Sequence, residues 1–514
     1  MSIKAVVKPN TYFDSVSLMA LSSKANKLEG AEQVVVAMGT DLNKEVLKNV
    51  GMLTPELQAA GTGDLMIAIK AASDAACDNV FAGIEKLFTD KSEETVQGAI
   101  KYSSLDAAVS SSKDANLAII SVPGQFAARE ARKALEKNLH VMIFSDNVDV
   151  EDEKSLKELA HSKGLLVMGP DCGTAILGGT GLCFANNVRR GNIGIVGASG
   201  TGSQEITARV HDFGGGISQL IGVGGRDLSE AIGGRMMIDG FRALAADDET
   251  KVIVLISKPP AKSVEEKVLA EVKACKKPVI VCFLGGSEDA VVKAGARFAK
   301  TTKEAALYAT ILGGKDEGTI NKRALNLPLI EEVKKKLAPE QKYIRGLFCG
   351  GTLCDESMLL AKEFYSDVYS NIAKDPAHKL KDNNISQGHT FIDFGDDSFT
   401  QGRPHPMIDP SLRLERFMRE ARDPSVGVIL LDFIIGYGSH PDPVGQMLPA
   451  IKEAKEEAQH RGKHLEILGY VLGTDRDTPT LEDQTQKLAS AGVTISSSST
   501  NTGLLGRGFV EKGK

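Results

Sequence analysis

Short apolar runs alternate with amphipathic runs through the middle of the chain. The apolar runs lie at 116–122, 140–144 and 165–168, and amphipathic runs at 125–137 and 151–163 separate them. Short apolar runs bounded by turn residues predict buried strands, and apolar positions spaced by three or four residues predict helices. The alternation therefore predicts a doubly wound parallel sheet with right-handed crossovers.

The same alternation occurs before and after this stretch. Further strand-like runs lie at 33–38, 65–69, 193–197, 218–223, 252–257, 278–284, 344–349, 390–394, 426–432, 465–472 and 493–496. We predict an α/β protein with three doubly wound parallel-sheet domains. They are a Rossmann-like domain at 1–190, a flavodoxin-like domain at 191–320 and a C-terminal flavodoxin-like domain at 343–514, with a helical linker at 321–342. The polar run at 496–501 is expected to be a loop.

Two predicted strands run into glycine-rich turns that begin helices, at 197–203 and at 350–353. Glycines let the backbone approach a ligand closely, and a helix start offers unpaired N–H groups and the positive end of its dipole. The alternative is that these glycines only form tight turns, since the spacing matches neither the P-loop nor a clean dinucleotide fingerprint. We predict a phosphate or carboxylate site formed by Ser199, Gly200, Thr201, Gly202, Gly350, Gly351 and Thr352.

Three further polar residues are candidates for catalysis. Arg226, in Gly-Gly-Arg-Asp, is either an anion clamp or the structural partner of a neighbour such as Asp227. Arg403 and His405 lie between a glycine and two prolines, in a loop that either presents a clamp and a titrating group or forms a subunit contact. We predict catalytic roles for Arg403, His405 and Arg226.

Two other groups of polar residues have simpler explanations. Asp396 and Asp397 could bind a metal together with Asp432, but paired aspartates beside a glycine usually cap a turn. Lys258 precedes two prolines and is more simply structural than a Schiff-base lysine, whose activation requires burial. We therefore predict no metal site.

Composition limits the class of protein. The chain has 514 residues, enough for three domains, and its formal net charge of -6, with both signs interspersed, argues against nucleic acid as a partner. It contains no run of eighteen apolar residues, and its amino terminus lacks the apolar core of a signal peptide. The seven cysteines form no Cys-x-x-Cys pair and are expected to be reduced and buried. We expect a cytoplasmic protein with no membrane contact.

Several motifs resemble those of known families. Gly169-Pro170-Asp171-Cys172 and the glycine-rich turn at 194–201, within residues 116–312, resemble the α subunit of succinyl-CoA synthetase and its nucleoside-diphosphate-forming acyl-CoA ligase relatives. Over its whole length the chain is similar to the FdrA family, also called AllF, through the stretches 13–19, 167–174, 224–228 and 402–410. That resemblance implies one subunit of oxamate carbamoyltransferase in allantoin catabolism, working with two further subunits. The implied substrates are oxamate, oxalurate and carbamoyl phosphate.

The ligase mechanism lacks one of its residues here. The ligases pass a phosphoryl group through a histidine in a loop that would correspond to Gly285-Gly286-Ser287, and no histidine occurs between His211 and His378. Met38-Gly39-Thr40-Asp41 stands where the ligases have the glycine loop that binds coenzyme A. We therefore expect no cofactor and a carbamoyl transfer between oxalurate and phosphate. An acyl-CoA ligase and a noncatalytic anion-binding scaffold subunit are the alternatives.

Overall fold

A computed structural model describes residues 2–9, 11, 13, 18, 21–22, 24–26, 28–90, 102–400 and 404–511. It divides into two compact units. The first comprises Met1–Ser111 together with Asp397–Pro404, and the second comprises Ser112–Asp396 together with His405–Lys514.

The first unit contains a three-stranded antiparallel sheet. Its central strand, β3 (Leu65–Ala71), lies between β1 (Ser2–Lys8) and β2 (Ala31–Met38) and runs antiparallel to both. The helices of this unit are α1 (Asp41–Asn49), α2 (Pro55–Ala59), α3 (Asp74–Asp90) and α4 (Leu105–Ser111), with a helical turn at Asp397–Thr400.

Strand β3 is buried on both faces. Leu65, Ile67 and Ile69 belong to one core with residues of α3, whereas Met66 and Ala68 belong to a second core with residues of α1 and α2. A strand covered on both faces has the continuous apolar run that is typical of parallel sheets. The sequence pattern predicted β2 and β3 but not β1, and the parallel, doubly wound arrangement expected for this region does not occur.

The second unit begins with the predicted three-stranded parallel sheet. Strand β5 (His140–Ile143) lies between β4 (Leu117–Ile120) and β6 (Val167–Met168), and helices α5 (Gly124–Glu136) and α6 (Val150–Ser162) connect them. Apolar residues of α5 recur on one face, where Ala127, Ala131 and Leu135 are buried.

A seven-stranded sheet follows, in the order β13-β12-β11-β9-β10-β7-β8. Its strands β9 to β13 are parallel, whereas β7 and β8 form an antiparallel hairpin that the sequence pattern did not predict. The strands are β7 (Thr174–Leu177), β8 (Thr180–Cys183), β9 (Arg190–Gly197), β10 (Ile217–Gly222), β11 (Val252–Ser257), β12 (Val279–Phe283) and β13 (Arg297–Phe298). The helices are α7 (Gly200–Asp212), α8 (Arg235–Ala246), α9 (Lys262–Ala274), α10 (Glu288–Lys293) and α11 (Thr302–Leu312).

The last sheet has six parallel strands in the order β15-β16-β14-β17-β18-β19. The strands are β14 (Tyr343–Phe348), β15 (Val368–Ser370), β16 (His389–Asp393), β17 (Val426–Ile434), β18 (Glu466–Leu472) and β19 (Thr494–Ile495). The helices are α12 (Leu327–Lys336), α13 (Gly351–Lys362), α14 (Ser411–Arg422), α15 (Pro443–His460), α16 (Leu481–Ser490) and α17 (Ser499–Phe509).

The polar run at 496–501 is not a loop as expected, because it begins α17. Ser498 caps the helix, its side chain accepting from the backbone N–H of Asn501 at 3.0 Å. The buried polar groups of Ser499 also have hydrogen-bond partners. Its backbone N–H donates to Glu205 at 3.0 Å, and its Oγ donates to Glu356 at 2.6 Å. A run of serines and asparagines without regularly spaced apolar residues is typical of a loop. The sequence alone does not show the buried partners that these residues have in the fold.

The α/β class with parallel sheets is confirmed. The domain boundaries at 190, 320 and 342 remain predictions. All seven cysteines are free thiols, and five of them are buried, as expected. None of the helices in the described ranges has the length and apolarity needed to cross a membrane.

A buried ion cluster connects α6 to the loop after β10. Lys157 Nζ donates to Glu153 Oε1 and to Asp227 Oδ1, both at 2.8 Å, and to the carbonyl of Val223 at 2.9 Å. The other oxygen of Glu153 accepts from Arg226 Nε at 3.0 Å. Each charge is therefore compensated, although the cluster is almost fully removed from water.

Replacing Lys157 with Met should destabilise the second unit strongly. The substitution removes the positive charge that compensates the buried carboxylates of Glu153 and Asp227. Breaking a buried ion pair in this way lowers the free energy of unfolding by about 3–5 kcal/mol. Lys154→Met, on an exposed position of the same helix, is the matched control and should change stability by less than about 0.5 kcal/mol. Equal thermal midpoints for the two variants would contradict the assigned role of the cluster.

Candidate functional site

The amino-terminal ends of α7 and α13 meet at the carboxyl ends of β9 and β14. The hydroxyls of Ser199 and Thr352 share a short hydrogen bond, and Thr352 N donates to Thr201 Oγ1 at 3.4 Å. The two glycine-rich turns that the sequence predicted as anion sites therefore contact each other, and they come from the seven-stranded and the six-stranded sheet.

Glycines permit this close approach. A Cβ atom on Gly202 would lie 2.8 Å from Thr352 Cγ2 and 2.7 Å from Ser199 Oγ. A Cβ atom on Gly351 would lie 2.5 Å from Asp393 Oδ2. All three distances are shorter than van der Waals contact, so larger side chains at these positions would separate the helix ends or displace the carboxylate.

A carboxylate of the chain itself occupies part of the α13 start. Asp432 Oδ1 accepts from Cys349 N at 2.8 Å, and Asp432 Oδ2 accepts from Gly350 N at 2.7 Å. The buried Arg413 donates to the same carboxylate at 2.9 Å. Asp432, which the sequence suggested as a possible metal ligand, therefore acts as an internal anion at this helix end.

The α7 start keeps free hydrogen-bonding capacity. Gly202 N donates to Ser199 Oγ at 3.1 Å, while the remaining N–H groups of the first turn have no partner within the helix. The Thr174 hydroxyl is buried without a hydrogen-bond partner among the described residues, and it lies 3.4 Å from the position of a Cβ on Gly200. An unpartnered buried hydroxyl beside a helix start is consistent with a bound anion that completes its bonding.

Asp393, at the end of β16, borders the first residue of α13. Its Oδ1 accepts from Gly395 N at 2.9 Å. Burial raises the pKa of Asp393 to about 6, although the positive charge of Lys258 opposes this shift. Burial also disfavours the charged form of Lys258, but the Asp393 and Asp355 carboxylates outweigh it and raise the pKa of the lysine. A carboxyl group with a pKa near neutrality suits proton transfer.

His405 lies on the other side of the same loop. A Cβ on Gly395 would lie 2.7 Å from His405 Nε2 and 3.1 Å from Asp393 Oδ1. Burial lowers the pKa of His405 to about 4, so the ring is neutral at physiological pH. Its Nδ1 accepts from Met407 N at 3.2 Å, which leaves the hydrogen on Nε2. His405 is thus a neutral donor at the edge of the site.

Of the two predicted arginines, Arg226 does not join this group. Arg226 donates to Glu153 and, at 2.7 Å, to the carbonyl of Val148, which corresponds to the structural alternative. Arg403 lies outside the described residues. No group of three or more histidine, cysteine or acidic residues within the described ranges has the arrangement of a metal site.

Four residues at the site were not predicted to act there. Asp393, Asp432 and Thr174 stand at or near the ends of strands, and polar strand ends are the signal that could have identified them. Arg413 could not have been found in this way, because it reaches the site from a helix, α14, and not from a strand end.

Three family models match separate parts of the chain. Residues 188–285 match the family described as "CoA binding domain", residues 347–506 match "CoA-ligase", and residues 1–103 match "AllF, heavy metal-associated domain". The chain belongs to the same family as the uncharacterized protein YahF of Escherichia coli (strain K12), which is 59% identical over 514 residues and covers the whole of both chains.

More distant proteins share parts of the chain. Succinate–CoA ligase [ADP-forming] subunit alpha 2 of Archaeoglobus fulgidus is 30% identical over 247 residues, which is 42% of this chain and 84% of that protein. The dinucleotide-forming acetyl-coenzyme A synthetase 1 of Ca. Korarchaeum cryptofilum aligns over 77% of this chain and 82% of its own at 16% identity, with a TM-score of 0.33. The expected relation to succinyl-CoA synthetase α is confirmed, and the relation to AllF is supported at residues 1–103.

Replacing Gly202 with Ala should weaken the contact between the helix starts. Ala favours a helix more than Gly does, but its methyl group would overlap Thr352 and Ser199, and overpacking of this kind costs about 1–3 kcal/mol. Gly225→Ala is the control, since a Cβ there meets nothing within 4 Å. Thermal unfolding of both variants is the measurement, and a Gly202→Ala protein as stable as the control would contradict the packing described.

Proposed function

We propose that the chain is a subunit of a carbamoyltransferase that transfers a carbamoyl group between oxalurate and phosphate, giving oxamate and carbamoyl phosphate in one direction. The observation that carries the proposal is the joined pair of helix starts, with its free N–H groups and hydroxyls beside Asp393 and the neutral His405. The match of residues 1–103 to AllF supports this choice within the ligase class.

The geometry suits the transfer of an acyl group activated by phosphate. Phosphate oxygens would be held by the first-turn N–H groups of α7 and by the hydroxyls of Ser199 and Thr174, because backbone donors there point away from the helix. Backbone donors that are fixed before the reaction also stabilise charge that develops on a departing phosphate. The enzyme would then act mainly by positioning the two reactants. Oxamate, oxalurate and carbamoyl phosphate are all small anions, so a site of this size and charge preference suits them.

The cofactors named by the matched families fit poorly. Residues 1–103 contain one cysteine and no histidine, and the buried Cys77 thiol donates to the carbonyls of Ser2 and Ile69, so a thiolate pair for a heavy metal is missing. Gly39, which the sequence analysis placed at the coenzyme A loop, follows β2 of the antiparallel sheet, and it lies outside residues 188–285, which match the CoA binding domain. We therefore assign no step to a metal or to coenzyme A.

An acyl-CoA ligase is the second candidate, because the matches at 188–285 and 347–506 favour it. Its phosphoryl relay needs a nucleophilic histidine. The loop after β12 has Ser287 instead, whose side chain caps α10 by accepting from Ala290 N at 3.3 Å. A scaffold subunit that only binds anions is the third candidate. The two further subunits with which the chain would work are also part of this proposal.

A negative charge at the α7 start should abolish phosphate-dependent turnover. In the complex with its two proposed partners, Gly200→Glu would place a carboxylate where the helix dipole favours the substrate anion. Gly63→Glu, on a loop position where a Cβ meets nothing within 4 Å, adds the same charge elsewhere and should keep activity. Phosphate-dependent breakdown of oxalurate is the assay. Full activity of a folded Gly200→Glu protein would place the anion site elsewhere, whereas an inactive wild-type complex would favour the other candidates.

Incubation with labelled ATP should leave no phosphoenzyme on this chain. The reason is the absence of any histidine between His211 and His378, which removes the relay group. A succinyl-CoA synthetase α subunit treated in the same way is the positive control. Stoichiometric, acid-labile label on the isolated chain would refute this prediction and support the ligase candidate.

A further inference from the structure

Two lysines and two aspartates gather beside the start of α13. Lys258 follows β11, Lys374 follows β15, Asp355 lies on α13, and Asp393 ends β16. Lys374 Nζ donates to the carbonyl of Pro259 at 2.8 Å, so both lysines approach the site from the same side. These four residues are called the lysine–aspartate cluster below.

The two carboxylates of the cluster are buried but not ion-paired. Asp355 is 7% exposed and Asp393 5% exposed. Burial raises the pKa of Asp355, and the charges of Lys258 and Lys374 lower it in part. Among the described residues no hydrogen bond or ion pair engages the Asp355 carboxylate, so it is a buried acceptor with unused capacity. The charged side chains of the cluster therefore interact electrostatically with one another.

The cluster is open to solvent on its lysine side and adjoins the paired helix starts. Lys374 is exposed, and Lys258 is half-buried. Asp393 Oδ2 lies against Gly351, whose neighbour Thr352 shares the hydrogen bond with Ser199. A molecule bound by the cluster would consequently lie beside an anion held at the α7 start.

We propose that the lysine–aspartate cluster binds the carbamoyl acceptor, a small carboxylate that carries an amide nitrogen, with Lys258 binding its carboxylate and Asp393 acting as the general base. This assignment rests on the proposed carbamoyl transfer and supplies the second half of that site. Asp355 accepts a hydrogen bond from the amide N–H, which explains a buried carboxylate that has no hydrogen-bond partner in the described part of the chain. Acceptor and phosphate donor then occupy neighbouring positions, as direct transfer requires.

The step balances without a further reactant. The amide nitrogen of oxamate attacks the carbamoyl carbon of carbamoyl phosphate and forms the new C–N bond. The bond from that carbon to the phosphate oxygen breaks, and its electron pair leaves on the phosphate. The nitrogen proton moves to the Asp393 carboxylate and passes from there to the departing phosphate, which regenerates the ionised aspartate. The reverse reaction uses the same ionised aspartate to take the proton from phosphate.

Asp393 needs to be ionised for this step, so activity should depend on pH. The charged or titratable groups that face it are Lys258 from the loop after β11, Cys354 on α13, Asp396 after β16 and Asp432 on β17, with His405 beyond Gly395. Since burial raises the pKa of Asp393 to about 6, kcat should rise with pH through about 6 and level off above it. His405, with a pKa lowered to about 4, changes charge below this range.

Kinetics of the complex with its two proposed partners test the general base. Asp393→Asn should lower kcat by about 100-fold or more and remove the acidic limb of its pH profile, with little change in KM for phosphate. Asp248→Asn, at an exposed position, is the matched control and should keep the wild-type kcat and the acidic limb of the pH profile. An Asp393→Asn protein with wild-type kcat and pH profile would overturn the assignment, while the proposed carbamoyl transfer would stand. The thermal midpoint of the variant shows whether a loss of activity reflects unfolding.

Oxamate binding to the full chain tests the cluster independently of turnover. By isothermal titration, Lys258→Met and Asp355→Asn should each weaken binding of oxamate by about tenfold or more, because each removes one charged contact. Lys267→Met, exposed on α9, should bind it like the wild type. If the wild-type complex fails to transfer carbamoyl groups yet oxamate binding depends on the cluster, the proposed function fails and the acceptor site stands. Absence of oxamate binding, or binding unchanged in Lys258→Met, would overturn the acceptor site.

Discussion

Two helices that point their positive ends at each other create the main electrostatic constraint of the second unit. Each start carries about half a positive charge, so α7 and α13 would repel one another without compensation. The chain supplies negative charge at this point, with Asp432 on the N–H groups of Cys349 and Gly350 and with Asp393 against Gly351. The hydroxyl pair of Ser199 and Thr352 then allows direct contact. The proposed substrate anion would add to this compensation on the α7 side.

Buried carboxylates further along the helices hold this geometry. Glu205 of α7 accepts from Ser499 N and from the hydroxyl of Tyr470 on β18. Glu356 of α13 accepts from Thr302 N at 2.8 Å and from Ser499 Oγ. Burial raises the pKa of both glutamates, so their hydrogen-bond donors have to offset the cost of desolvation. Because these bonds cross from one sheet to the other, they fix the angle at which the helix starts meet.

Local pattern predicted the elements of the fold better than their arrangement. Apolar runs such as 426–432 identified buried strands, and the glycine turns identified both helix starts, because each depends on residues close in sequence. The antiparallel direction of β3 depends on its pairing with β1, which lies about sixty residues earlier in the chain. The periodicity of apolar residues contains no information about such distant pairing. The start of α17 was missed because the hydrogen-bond partners of Ser499 are Glu205 and Glu356, which are distant from it in sequence. The role of Asp432 at the helix start was not predicted, because its partners come from the turn after β14 and from α14, which are distant in sequence.

Both helix starts belong to one polypeptide. Residues 200–212 and 351–362 are joined through α12, so the contact between Ser199 and Thr352 is intramolecular. Its effective concentration is set by the connecting chain and does not change when the protein is diluted. A site divided between separate subunits would instead fall apart at concentrations below the dissociation constant of the pair. Here the cell obtains both halves in equal number from each translated chain, whatever the level of expression.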